Sequence, residues 1–200
     1  CPENLDRTIY HTLTKAELPV SRAQIPISKA VLNTSLEGLD LVGSNILLSG
    51  VEFELAKLYR REYVLTEQLE SVSDRYDLCV IDSSPSLSLL TLNALVAASN
   101  IVIPVQTQYY ALEGLKQLLE TIDIVSERFN PYLESLAVLL TFVEKRTALS
   151  REIQRQMREY FGDTVFDTVI HKNTTLAEAP SAGEPVLTFD PKSKGAIDYR

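Results

Sequence analysis

The chain has 200 residues, 45% of them apolar, with 27 acidic against 19 basic side chains and a formal net charge of −8. That length and apolar content support one sizeable core and exclude a disordered polymer, while the negative balance excludes a chain that binds nucleic acid or anionic lipid over its whole surface. Two cysteines (Cys1, Cys79) and two histidines (His11, His171) exclude a disulfide framework and a zinc cluster, and no apolar run nears the roughly 18 to 20 residues of a membrane span.

Residues 1 to 36 are the least regular part, because Pro19 and Pro26 break weak helical patterns. Beyond them, short apolar runs predict buried strands at 39–44 (LDLVGS) and 76–82 (YDLCVID). A helix from Leu87 to Ala97 leads into a third strand at 100–106 (NIVIPVQ). Leu115, Leu118, Leu119, Ile122 and Val125 recur at three and four residues and predict a helix that ends near Phe129-Asn130-Pro131. A strand at 135–142 (SLAVLLTF) follows, then a helix from about Leu149 to Tyr160 closed by Gly162. Strands at 165–170 (VFDTVI) and 185–189 (PVLTF) complete the pattern. Strand and helix in alternation predict one α/β domain over 1–200, a mostly parallel sheet flanked by helices.

In open parallel sheets ligands sit beyond the carboxyl ends of the strands, and Asp82 stands at such an end. An Asp there can simply cap the helix that follows. The four apolar residues before it and Pro85 after it also fit a Walker B strand, whose carboxylate holds Mg²⁺ through water beside nucleotide phosphates. Such an acid needs a glycine-rich phosphate cradle ending in Lys and Ser or Thr. Among seven glycines only Gly38 and Gly43 have the spacing, in GLDLVGSN, and Ser44 stands where the lysine belongs. The phosphate partner of Asp82 is not in these residues.

Several long runs together resemble one family, the ParA/Soj partition ATPases, MinD-like members of the P-loop NTPases. YDLCVIDSSPSLSLLTLNALVAA resembles the family's Walker B and switch segment, and IVIPVQTQYYALEGLKQLLETI its next strand and helix. AVLLTFVEKRTALSREI and VIHKNTTLAEAPSAGEPVLTFDPKSKGA resemble the later units, so the likeness runs from about Leu5 to the end. It implies a three-layer, P-loop NTPase-like fold. The family's phosphate loop and its Asp-Pro-Gln switch have no counterpart here, and Cys1-Pro2-Glu3-Asn4 matches the segment just downstream of that switch. The expectation is a fragment, lacking the N-terminal strand and loop and incomplete at its C-terminus, that hydrolyses little ATP alone.

By this resemblance Asp82 is the catalytic acid and the Mg²⁺ holder, and Pro85 is the proline of the switch, with Ser83-Ser84 in place of Cys-Pro. Thr141, Phe142, His171, Lys172 and Asn173 match the residues around the base of ATP, with His171 where the family has proline. DNA contacts fall on Arg146, on Arg151, Arg155 and Arg158 along one helix face opposite Ile153, Met157 and Tyr160, and on Lys194. Taken by itself, that basic face reads as solvated surface with glutamates beside it. Thr175 stands where an arginine contact is often found. The family implies an ATP-bound homodimer on non-specific DNA, a ParB-like partner that speeds hydrolysis, and a cytoplasmic, nucleoid-associated protein with no membrane attachment. The alternative is a non-catalytic module without a phosphate loop that binds DNA or a full-length relative. A MinD-like membrane cycler would need a C-terminal amphipathic helix, and a serine hydrolase would need a G-x-S-x-G elbow that is absent.

Overall fold

A computed structural model describes residues 7–14, 24–84, 86, 88–108 and 111–200. They divide into two compact units, Cys1–Ala98 with Ile124–Leu133, and Ser99–Asp123 with Glu134–Arg200.

In the first unit, helix α1 (Ile9–Leu13) is followed by strands β1 (Val31–Asn33) and β2 (Asp40–Val42), then α2 (Val51–Leu55), α3 (Val64–Glu70) and α4 (Leu89–Ala97). The apolar run at 39–44 does form a strand. It pairs antiparallel with β1 in a hairpin, however, and not within a parallel sheet. Gly38 takes φ +78° in the connecting turn, a conformation that a Cβ disfavours. The core gathers Tyr10, Leu13, Val51, Leu55, Val64 and Leu65, with Ile81, Leu89 and Leu90 packed against it. One buried amide organises the polar side of this core. Asn93 accepts the Leu65 N–H (3.1 Å) and donates to the carbonyls of Arg61 and Leu89 (both 2.9 Å).

The expected strand at Tyr76–Asp82 is not formed: the segment joins no ladder with any described residue. Only Ile81 reaches the core, while Leu78 and Val80 are 79% and 84% exposed. A strand assignment needs a neighbour to exchange hydrogen bonds with, and the apolar run alone cannot supply one. The following helix starts at Leu89, not Leu87, and its cap is Ser88, whose hydroxyl accepts the Thr91 N–H. Asp82 is therefore not the cap.

In the second unit, β3 (Asn100–Gln106), β4 (Ser135–Val143) and β5 (Val165–His171) form a parallel sheet in the order β3-β4-β5. The connections carry α5 (Ala111–Arg128), whose last residues lie in the first unit, and α6 (Ala148–Phe161). Each ends where its sequence predicts, α5 just before Phe129-Asn130-Pro131 and α6 at Gly162 with φ +56°. The α6 face carrying Ile153 and Met157 is buried; Tyr160, expected to join them, is exposed and packs edge-on against Phe161. After β5 come α7 (Thr174–Ala182), α8 (Val186–Phe189) and α9 (Lys194–Asp198). The expected strand at 185–189 is thus one turn of helix. Pro185 has no N–H to give a ladder, and its carbonyl instead accepts the N–H of Thr188 and of Phe189 (both 3.0 Å). α9 packs on α7 through Gly195, where an added Cβ would stand 2.6 Å from Leu176 Cγ.

Asn93→Ala leaves the buried Leu65 N–H and the Arg61 carbonyl without their partner. A loss of about 2 to 4 kcal/mol is expected in urea denaturation, and an unchanged midpoint would contradict this account of the core.

Candidate functional site

Parallel pairing brings the carboxyl ends of β3, β4 and β5 to one edge. Across that edge Val143 pairs with His171, and Lys172 donates its N–H to the Val143 carbonyl (3.2 Å). Thr141, Phe142, His171, Lys172 and Asn173, five positions expected around a nucleotide base, are therefore neighbours within one unit. The pairing is irregular there. Between Leu140↔Val169 and Val143↔His171, β4 spends one residue more than β5, and Phe142 in that bulge has φ +53° with its side chain 47% exposed. Thr141 is buried, and its carbonyl accepts the N–H of Thr107, the first residue beyond β3 (3.1 Å).

The other expected base residues are held by intramolecular partners. Asn173 caps α7, its Oδ1 accepting the Thr175 N–H (2.8 Å). Lys172 Nζ pairs with Glu144 Oε1 (2.8 Å). His171 is fixed by Asp198, whose Oδ2 accepts from both the His171 N–H and ring Nδ1 (2.9 Å each), while Lys194 Nζ meets Oδ1 at 2.7 Å. A carboxylate only accepts, so Nδ1 carries the proton of this bond, while Nε2 is buried without a partner among the described residues. Burial pushes the Asp198 carboxyl up; the hydrogen bonds from Lys194 and His171 outweigh it and hold the group below the ordinary value.

Asp82 lies in the first unit, exposed, with Ser83 and Ser84 exposed after it. The turn is tied down by Thr91, whose hydroxyl donates to the Ser86 carbonyl (2.5 Å), and by the Ser84 and Ser86 hydroxyls 2.8 Å apart. Pro85 lies outside the described residues. No group of three or more His, Cys, Asp or Glu residues that could hold a metal occurs among the described residues. One exposed carboxylate still suits Mg²⁺, which keeps most of its waters and takes its other ligands from phosphates.

The expected DNA face is partly neutralised within α6. Arg155 is gripped by Glu152 (Nη2–Oε1 2.5 Å, Nε–Oε2 3.1 Å) and by Glu159 (2.6 Å). Its hydrogen bond lowers the Glu152 carboxyl. Arg158 turns to the Phe166 carbonyl (3.2 Å) and Asp167 (3.8 Å), and Lys194 is committed to Asp198. Arg151 donates to the Lys145 carbonyl (3.3 Å), and Arg146 is exposed in the loop before α6. No helix among the described residues is long and apolar enough to cross a membrane.

A sequence-family profile described as an AAA domain matches residues 2–135. The sporulation initiation inhibitor protein Soj of Bacillus subtilis is 46% identical over 166 residues, 83% of this chain and 66% of its own length. The chromosome partitioning protein ParA of Caulobacter vibrioides is 42% identical over 195 residues, 96% of this chain and 70% of its own. The chain belongs to the ParA/Soj family.

It spans about two thirds or less of the first matched relatives, 66% of Soj and 59% of an uncharacterized Mycobacterium tuberculosis protein. A Mycobacterium smegmatis structure described as cobyrinic acid a,c-diamide synthase, with bound ATP analog and magnesium, superposes at TM-score 0.79 with 30% identity, covering all of this chain and 70% of that one. McdA of Cyanothece, at 19% identity and TM-score 0.79 over 98% of this chain and 77% of its own, shares the fold. At His171, where the resemblance implies a proline, the backbone N–H that proline would lack is accepted by Asp198. Neither Asp198 nor the polar residue after β3, Thr107, stands out from local periodicity; a polar side chain just past an apolar strand is the one available signal for Thr107.

Because the folded Asp198 carboxyl titrates below its unfolded value of about 3.9, its stabilisation is complete above that value and is lost as pH falls through the folded one. Asp198→Asn is expected to be less stable than the wild type at pH 6, with the gap closing below about pH 4. Equilibrium unfolding at both pH values checks this, and a gap that stays constant would contradict it.

Proposed function

We propose that these residues form part of a ParA/Soj-type DNA-segregating ATPase, in which ATP favours a homodimer that binds DNA without sequence preference and a ParB-like partner speeds hydrolysis at the nucleoid. The observation that carries this reading is the meeting of Thr141 and Phe142 with His171, Lys172 and Asn173 at the carboxyl ends of adjacent parallel strands. Strand ends of this kind are where α/β sheets take nucleotides.

The roles follow from chemistry. Phe142 offers an exposed aromatic ring to the base, and Thr141 and the His171–Asn173 turn form the rest of its surroundings. Asp82 would be the carboxylate that holds Mg²⁺, and Pro85 stands in sequence at the family's switch proline. When bound, MgATP supplies the transferable phosphoryl group and the cation that offsets its charge. No run in the 200 residues is a phosphate loop, so in this proposal that loop comes from outside them. Of the basic residues, exposed Arg146 is the first candidate for DNA phosphates, and Arg151 has a bond to the Lys145 carbonyl to release. Arg155, Arg158 and Lys194 must first give up their acidic partners or carbonyl.

A chimera tests the reading: the region of Caulobacter vibrioides ParA preceding its match, joined to this chain. Mg²⁺-dependent ATP hydrolysis is expected, with Asp82→Ala reducing it by about 100-fold or more. Arg146→Ala should lower the salt slope of DNA binding by about 1. A chimera that binds DNA but never hydrolyses ATP would instead support a non-catalytic interaction module.

A further inference from the structure

Phe142 adopts φ +53°, a backbone region that bulky residues avoid. Glycine would end the strand there without strain. Burial of the ring does not explain the choice, since the side chain is 47% exposed. A conformation of this kind persists only where its surroundings over-determine it, and such residues cluster at ligand clamps.

What over-determines Phe142 is a chain of buried hydroxyls. Thr107 gives its N–H to the Thr141 carbonyl (3.1 Å) and its hydroxyl to the Phe142 carbonyl (3.1 Å). Ser150, on the first turn of α6, donates its hydroxyl to Thr107 Oγ1 (2.9 Å) and accepts the Glu144 N–H (3.2 Å). Gln154 Nε2 closes on the Ser150 hydroxyl at 3.4 Å. The carbonyls of 141 and 142 and the N–H of 144 are thus all anchored, so the bulge has little freedom to flip Phe142 into an ordinary strand conformation. Both hydroxyls are buried and fully occupied in this task.

We infer that Thr107 and Ser150 are positioning residues whose hydroxyl chain holds Phe142 in its left-handed turn, so that the Phe142 ring is a fixed stacking face for a purine base. This rests on the nucleotide-site reading above. The ligand chemistry is a flat, uncharged aromatic ring, and the phosphates play no part in the contact.

The chain contains no tryptophan, so Phe142→Trp introduces a single fluorescent reporter at the stacking position. ATP is expected to quench it, and inorganic triphosphate to leave it unchanged. In that background Thr107→Val should weaken the ATP quench by about fivefold or more, Ser150→Ala should act in the same direction, and Thr107→Ser should restore it. Circular dichroism of each variant separates this effect from unfolding. An unchanged quench in folded Thr107→Val overturns the positioning role and leaves the base site standing. Calorimetric ATP binding to Phe142→Trp with no quench overturns the stacking assignment. No ATP binding even to the ParA chimera, which carries the phosphate loop, overturns the nucleotide reading and this inference with it.

Discussion

Parallel backbone pairing of β4 with a strand on each side is the constraint on which the rest of the site depends. In a parallel ladder all strands end at the same edge, so residues more than 60 positions apart, from Thr107 to Asn173, are delivered to one place by main-chain hydrogen bonds alone. The side chains then only have to be aimed. A single extra residue in β4 does this for Phe142, because a bulge re-aims whatever it carries. Buried Val138, Leu140 and Val143 keep the strand from sliding, since a one-residue slip would turn them out to solvent.

Electrostatics work on a smaller scale. Asp198 collects two donors from His171 and one from Lys194, which ties α9 to the end of β5 and fixes the orientation of the imidazole ring. The Asp198 side chain is only 5% exposed, so its bonds are screened less by solvent than the exposed pairs on α6. The Arg155 clamp is of the exposed kind. The glutamates that hold it contribute little to folding, so the pairing is compatible with the DNA contact proposed for Arg155.

Much of the second unit was legible in sequence because its signals are local. NIVIPVQ, SLAVLLTF and VFDTVI are continuous apolar runs and become the sheet; the Leu115–Val125 spacing becomes α5. YDLCVID carries the same signal and pairs with no described residue, since a strand is a property of two segments and a run of apolar residues describes one. Its exposed Leu78 and Val80 are the mark of a strand-like segment without a neighbour among the described residues. PVLTF failed for a different reason: Pro185 removes a ladder donor and its carbonyl starts a helical turn. The resemblance marked Thr141, Phe142 and His171 by alignment of motifs. Thr107, Ser150 and Asp198 escaped, because Ser150 meets Thr107 across 43 positions and Asp198 meets His171 across 27, contacts no window of local sequence contains.

The central claim is that the carboxyl edge of β4 and β5 takes the base of a nucleotide. Amide chemical shifts of the isotopically labelled chain, followed while MgATP is added, test it most directly. The account predicts the largest changes at Thr107, Thr141–Glu144 and His171–Asn173. Changes confined to Arg146–Arg158, where phosphates would be attracted by charge alone, with that edge unmoved, would contradict it.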